Sequence, residues 1–270
     1  MLKLVRTAFA LSTVLATALS GLTAPAFADE AGAPAHGKEL VFDLGVGARV
    51  QPKYDGADSY LLVPFPILQL SYLRIPGLGT LADDRNMGVF FYPSFGFVGE
   101  RSASDDAALT GLNDVDWAVE LGAGFGYRSD YVRLFAEVRR GFNGHEGFVS
   151  ELGADAIFHP MEKLTLRMGP RLGLADSEYM ETYFGVTAAE AAASGGALTQ
   201  YKPGGGIKDI GLVTTASYAW TENTTLHLEG GYRRLVSDAA DSPIVKRGQE
   251  NQFSVGAGIS YRFSFDFDGQ

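Results

Sequence analysis

Residues 253–267 read FSVGAGISYRFSFDF. Every second residue is apolar or aromatic: Phe253, Val255, Ala257, Ile259, Tyr261, Phe263, Phe265 and Phe267. Between them lie Ser254, Gly256, Gly258, Ser260, Arg262, Ser264 and Asp266. A repeat of two puts these sets on opposite faces of a strand. One face suits hydrocarbon and the other water, which is the pattern of a transmembrane β-barrel wall.

Such a barrel needs an export route. Lys3 and Arg6 precede an apolar run from Ala8 to Leu22, followed by Ala26-Phe27-Ala28. This is the three-part layout of a secretory signal, residues 1–28, with cleavage expected between Ala28 and Asp29. The mature chain, 29–270, then forms one domain, since no Pro- or Ser-rich linker divides it. No later segment approaches the roughly 20 unbroken apolar residues of a membrane helix, so any later span must consist of strands.

Composition narrows the class. Without the signal the chain has 20 basic against 32 acidic side chains, which argues against nucleic acid as a partner. Cysteine is absent, so the exported protein must hold together without disulfides, as a closed strand ladder can. The 34 glycines suit tight turns and crowded lumens, and the 12 tyrosines and 18 phenylalanines suit membrane interfaces.

Working back from 251–265, the same alternation marks strands near 224–236, 207–220, 163–175, 147–158, 131–141, 115–127, 87–98 and 39–51. Short connections (83–86, 128–130, 159–162, 221–223) alternate with longer ones (99–114, 142–146, 176–206, 237–250). Outer-membrane barrels keep short turns in the periplasm and long loops outside. With both termini periplasmic, the stretch before 83 supplies one descending strand, giving about ten. Twelve is the alternative, because Tyr60 to Ala82 is long enough for more than one crossing and contains Pro64, Pro66 and Pro76, which cannot donate to a ladder. The fold class is all-β, an antiparallel transmembrane barrel. Tyr127, Tyr131, Phe158, Trp220, Tyr261 and Phe263 all fall at periplasmic strand ends, where an aromatic girdle belongs. The helical signal is confined to Ala188 to Ala193.

The polar strand face carries Asp43, Arg49, Glu120, Arg128, Arg133, Glu137, Arg139, Glu151, Asp155, Arg167, Arg171, Glu229, Arg233 and Arg262. With both signs present in similar number, a paired and mostly occluded lumen is expected rather than an ion-selective pore, whose lining would show one dominant sign. The lumen charges singled out are Arg49, Glu120, Arg133, Glu137, Glu151, Arg167, Arg171, Glu229, Arg233 and Arg262. Enzymatic signals are thin. His145 next to Glu146, and Asp105-Asp106, read as solvated loop charges, and His159 and His227 as isolated. No spacing suggests a metal or a phosphate loop, so no catalytic, cofactor or metal residue is assigned.

Several ordered pieces resemble a known family. They are Gly45-Val46-Gly47 with Pro52-Lys53-Tyr54-Asp55-Gly56-Ala57, then Pro64-Phe65-Pro66, then Tyr183-Phe184-Gly185-Val186 with Glu190, Ala191, Ser194-Gly195 and Tyr201. Leu235, Ser237, Asp238 and Asp241-Ser242-Pro243-Ile244-Val245 follow, leading into Gly258-Ile259-Ser260-Tyr261-Arg262-Phe263. From about residue 39 to Phe263 the chain resembles the MltA-interacting protein (MipA)/OmpV family of Gram-negative outer-membrane proteins. The resemblance implies a non-enzymatic barrel in outer-membrane lipid, a scaffold joining a murein-degrading lytic transglycosylase to a murein-synthesising penicillin-binding protein. Relatives linked to adhesion and osmotic responses keep a surface adhesin open as an alternative, and the polar strand face a small-solute pore. The family supplies no catalytic residues. Tyr54, Asp55 and Gly56, Tyr183 to Val186, and Asp241, Ser242 and Pro243 are expected in outer loops, with Tyr261 and Phe263 in the C-terminal strand. The tail Ser264 to Gln270 departs from the family pattern and leaves Phe263, Phe265 and Phe267 as alternative terminal aromatics.

Overall fold

The computed structural model describes residues 22–23, 40–75, 79–83, 87–104 and 106–265. Its strands are β1 (Leu22–Thr23), β2 (Leu40–Pro52), β3 (Tyr60–Ile75), β4 (Gly79–Asp83), β5 (Gly88–Val98), β6 (Ala118–Arg128), β7 (Val132–Asn143), β8 (Phe148–Met161), β9 (Leu164–Ala175), β10 (Gly206–Ala219), β11 (Thr224–Leu235) and β12 (Asn251–Phe265). All ladders are antiparallel, and the sheet runs β1-β5-β6-β7-β8-β9-β10-β11-β12-β2-β3-β4. Ten of these strands are long, and they curl into a barrel wall. Tyr60–Ile75 is a single crossing of 16 residues, with the short β4 folded back on its lower end, so the second-crossing alternative does not arise.

The opening alternation is realised in β12. Phe253, Val255, Ile259, Tyr261 and Phe265 are exposed on the outer surface, whereas Gln252 and Ser260 are buried inward. Tyr261 pairs with Thr224 on one side and Leu44 on the other, so the last long strand closes onto the first. Phe42 of β2 stacks on both Phe263 (5.5 Å) and Phe265 (5.9 Å), which fixes that closure at the periplasmic edge. Phe267, like Ala28, Asp29, Pro76 and Asp105, lies outside the described residues.

The outer surface carries a continuous apolar band, including Val46, Leu62, Leu68, Val89, Phe91, Leu121, Leu134, Leu212, Leu228 and Val255. Tyr127, Tyr131, Phe158, Trp220 and Tyr261 are all exposed at the short-turn end, with Phe263 half-buried beside Tyr261. Trp117, Phe142, Phe148, Phe253 and Tyr60 ring the opposite end. Two aromatic girdles bounding an apolar band are what a strand-built membrane span presents to lipid.

Prolines mark the two outermost long strands. The β2–β3 ladder runs unbroken from Tyr60 to Leu70 past Pro64 and Pro66, and the β5–β6 ladder runs past Pro93. Their missing N–H groups therefore face the other edge of each strand. Beyond them the sheet carries only the short β4 on β3 and the two-residue β1 on β5, and among the described residues no ladder joins β3 to β5. A proline is tolerated in a sheet where its N–H is not required.

Four helices occupy the long-loop end: α1 (Ser177–Phe184), α2 (Ala188–Ala193), α3 (Ser237–Asp241) and α4 (Pro243–Arg247), with a 3-10 turn at Ala107–Leu109. The expectation of helix at 188–193 alone is thus too narrow. Asp176 caps α1, its carboxylate accepting from Tyr179 N (2.9 Å) and from Phe148 N (2.9 Å). Thr187 and Glu190 form a capping box on α2.

Candidate functional site

The long loops fold into a lid. Tyr179, Met180, Tyr183 and Phe184 of α1 lie on one side of the helix and pack with Leu235, Ala239 and Val245 and with Val149 and Ala175 of the wall. Leu109, Leu112, Val186, Leu198 and Ile244 form a second core. Hydrogen bonds tie the loops together. Arg101 Nη1 donates to Tyr183 O (2.7 Å), Ser242 Oγ to Phe184 O (2.7 Å), and Asn113 N to Glu190 Oε1 (2.9 Å).

The first loop joins through Gly56. Its φ is +95°, and a Cβ there would stand 2.6 Å from Val245 Cγ2, so both conformation and space require glycine. Gln249 N donates to Gly56 O at 2.7 Å, and the Gln252 side chain bonds Gly56 N and Ala57 O. Tyr54 is half-buried and Asp55 accepts from Lys208 Nζ at 2.9 Å. Tyr183, Phe184, Val186 and Ser242 are buried, Gly185 caps the end of α1, Pro243 opens α4, and Asp241 pairs on the surface with Lys246. The segments 176–205 and 236–250 are thus packed structure.

Beneath the lid is a cavity of ≈ 220 Å³ whose lining includes Arg49, Glu120, Arg139, Glu151, Lys208, Asp209 and Arg233, roofed by Tyr179 and Tyr183. Arg233 holds Glu151 (2.5 Å) and Asp209 (2.9 Å), Arg49 holds Glu229 (3.1 Å), and Arg139 holds Glu120 (2.9 Å) and Glu137. Lys208, at the end of the glycine run 204–206, bridges Asp209 (3.2 Å) and Asp55. Lower in the lumen Arg171 bonds Asp155 (2.7 Å), Arg133 lies 3.6 Å from the same carboxylate, and Arg167 Nε donates to Thr215 Oγ1 at 3.4 Å. At the periplasmic end Arg262 grips Asp43 through two nitrogens, at 3.0 and 3.1 Å. Side chains of both signs fill the interior, each largely withdrawn from solvent, where only pairing makes a charge tolerable.

Two histidines differ from their sequence reading. His145 is buried, not solvated, with Nε2 3.3 Å from Glu120 Oε1 and its ring edge-on to Tyr179 (4.9 Å) and Tyr183 (5.5 Å). Gly141 makes room for it: a Cβ there would lie 2.1 Å from His145 Cε1. His227 is buried between two serines, with Ser217 Oγ at 3.3 Å and Ser260 Oγ at 2.8 Å. Glu146 is exposed and pairs with Arg140. The signal that could have placed His145 is the spacing of Tyr179 and Tyr183, one helical turn apart behind a capping Asp176.

In the lid, burial raises the Tyr179 phenol well above its ordinary value, and burial aided by the Glu120 charge raises Tyr183. Tyr54 is pushed up to about 12 by burial, then by Asp106 and Asp58. Burial disfavours the Glu190 carboxylate, but the N–H groups of Asn113 and Thr187 outweigh it and hold the group below the usual carboxylate range. The roof of the cavity is therefore neutral aromatic, while its floor and walls are charged. Among the described residues no cluster of His, Cys, Asp and Glu suits a metal ion.

A family model described as MltA-interacting protein MipA matches residues 44–263, nearly all of the barrel and lid. The chain belongs to the MipA family. Among curated proteins, a similar one is YiaT of Escherichia coli K12, named as an outer membrane protein. It is 27% identical over 164 residues, 59% of this chain and 63% of the relative, so less than two thirds of YiaT is spanned. Solved structures with similarity include the N-terminal β-barrel domain of Pseudomonas aeruginosa OprF (14% identity, 66% of this chain and 98% of that one, TM-score 0.33). The KdgM porin is another (12% identity, 82% and 99%, TM-score 0.31). This MipA-family chain is an outer-membrane β-barrel protein.

Proposed function

We propose that this MipA-family barrel is a plugged, non-enzymatic scaffold of the outer membrane, exported behind residues 1–28, that brings a murein hydrolase and a murein synthase together. The observation that carries the reading is the combination of a lid with its own core and a lumen packed with ion pairs. A barrel filled in this way is suited to hold a position in the membrane and to display its periplasmic edge. The family's description, which names MltA as the interaction partner, supports the same assignment. On this reading partners meet the short turns at 129–131, 162–163 and 220–223 and the β4 hairpin, while the lumen charges Arg49, Glu120, Arg133, Glu137, Glu151, Arg167, Arg171, Glu229, Arg233 and Arg262 act as the plug.

The test is capture of periplasmic murein enzymes by the detergent-solubilised barrel. Enrichment of a lytic transglycosylase and a penicillin-binding protein over an unrelated barrel is expected, and its absence defeats the proposal. A second reading, a small-solute pore gated by the lid, is favoured by the ≈ 220 Å³ cavity. Planar-bilayer recording separates the two. The scaffold gives no unit conductance with the lid intact, and steady conductance in the wild type supports the pore.

A further inference from the structure

Four arginines lie in the lumen below the cavity under the lid, with Arg171 reaching up to Glu151 at 3.5 Å. Arg128 and Arg133 are directly opposed across the β6–β7 ladder, and Arg167 and Arg171 lie four residues apart in β9, on the same face. All four are less than a tenth exposed. The charges that act most strongly on Arg167 are those of Arg133 and Asp155, then of Arg128 and Arg171, so cations outnumber carboxylates among them. The Asp155 carboxylate is already taken, at 2.7 Å by Arg171 and at 3.6 Å by Arg133. Arg167 is 3 % exposed, and its Nε is turned to Thr215, leaving Nη1 and Nη2 buried with no hydrogen-bond partner. Arg133 Nη1 is likewise without a hydrogen-bond partner.

A guanidinium cannot shed its proton to escape such a setting, and an uncompensated buried charge is strongly unfavourable. The guanidinium carbons of Arg133 and Arg171 lie 4.5 and 5.0 Å from the centre of the Phe135 ring, a contact that steadies both forks but adds no negative charge. What Arg167 lacks is an acceptor for Nη1 and Nη2, which an anion with several oxygens would supply. Guanidinium forks match phosphate, sulfate and carboxylate oxygens in pairs. The degree of burial limits the occupant to a small free oxyanion of about the size of inorganic phosphate, and excludes a lipid headgroup with its chains.

We propose that Arg167, flanked by Arg128 and Arg133, forms an oxyanion-binding site in the lower lumen, reached from the periplasmic mouth. Asp155 opposes the ligand's charge and sets its affinity. Equilibrium dialysis of radiolabelled inorganic phosphate against the refolded full barrel, at constant ionic strength, tests this. Saturable binding of one phosphate per chain, displaced by sulfate, is expected. Arg167→Gln weakens it by about tenfold or more, the loss of a charge-assisted hydrogen bond pair. Arg140→Gln, at an exposed surface pair, leaves it unchanged. Asp155→Asn tightens it, an effect opposite in sign to simple loss of a structural ion pair. Absence of saturable binding to the wild type overturns the proposal without recourse to any variant. Equal affinity in folded Arg167→Gln, or weaker binding in folded Asp155→Asn, overturns it as well.

Discussion

Replacing Phe184 by alanine separates the lid from the wall. Phe184 has no exposed surface, and its ring contributes to the core shared by α1, α3, α4, Val149 and Ala175. Truncation of a fully buried phenylalanine costs about 3–5 kcal/mol. The loss falls mainly on the lid, because the barrel wall is held by backbone ladders in which Phe184 takes no part. With tenfold for each ~1.4 kcal/mol, the open population of the lid rises by about two to three and a half orders of magnitude. Hydrogen exchange reads this directly at Val186 N and Tyr201 N, which donate to each other's carbonyls at 2.9 Å. Their protection should fall by that factor while the ladder amides of β7 keep theirs. A change of less than about tenfold at Val186 and Tyr201 refutes the estimate of core packing. A parallel loss in β7 refutes the independence of lid and wall.

Ser242→Ala removes the 2.7 Å bond to Phe184 O and the acceptor for Ile244 N, and should cost the lid about 1–2 kcal/mol by the same exchange measurement. Glu190 supplies a pH dependence: because its folded value is depressed, its contribution is complete above the ordinary glutamate value of about 4.3 and is lost as pH falls through the lower folded value. Exchange at Asn113 N followed from neutral to acid pH should show that loss, and Glu190→Gln should abolish it. Arg139→Met takes the guanidinium from Glu120 and Glu137, leaving them His145 and the Tyr92 hydroxyl, and should destabilise the barrel by up to about 3–5 kcal/mol in urea unfolding, and adding Glu120→Leu and Glu137→Leu should restore most of it. Truncation after Phe265 should assemble normally. Truncation after Phe263 removes one of the two rings stacked on Phe42 and should reduce the heat-resistant folded band on gels.

The wall was legible because a repeat of two is imposed on every crossing by lipid outside and polar side chains within. The strands expected at 163–175 and 251–265 are found at Leu164–Ala175 and Asn251–Phe265 for that reason. The lid was less legible. Its helices are five to eight residues long, too short for a helical repeat to declare itself, and their apolar residues are buried against other loops distant in sequence. His145 looked solvated beside Glu146 because the sequence does not disclose that Tyr179 and Tyr183 cover it. The single crossing at 60–75 was obscured by Pro64 and Pro66, whose place at a sheet edge is decided by the partner strand rather than by local preference.

The prolines at the β3 and β5 edges have a topological consequence. The first and last long strands meet in an unbroken ladder, Leu40 to Val50 against Phe265 to Val255, in the middle of the sheet. Apart from the two-residue β1 on β5 and the short β4 on β3, the long strands of the sheet run from β5 round to β3. Chain order and sheet order are therefore out of phase. Joining residue 265 to residue 40 by a short linker and opening the chain between β4 and β5 would give a circular permutant whose termini lie beside the two outermost long strands, β3 and β5, and in which every ladder among β2, β3 and β5 to β12 connects neighbours in sequence.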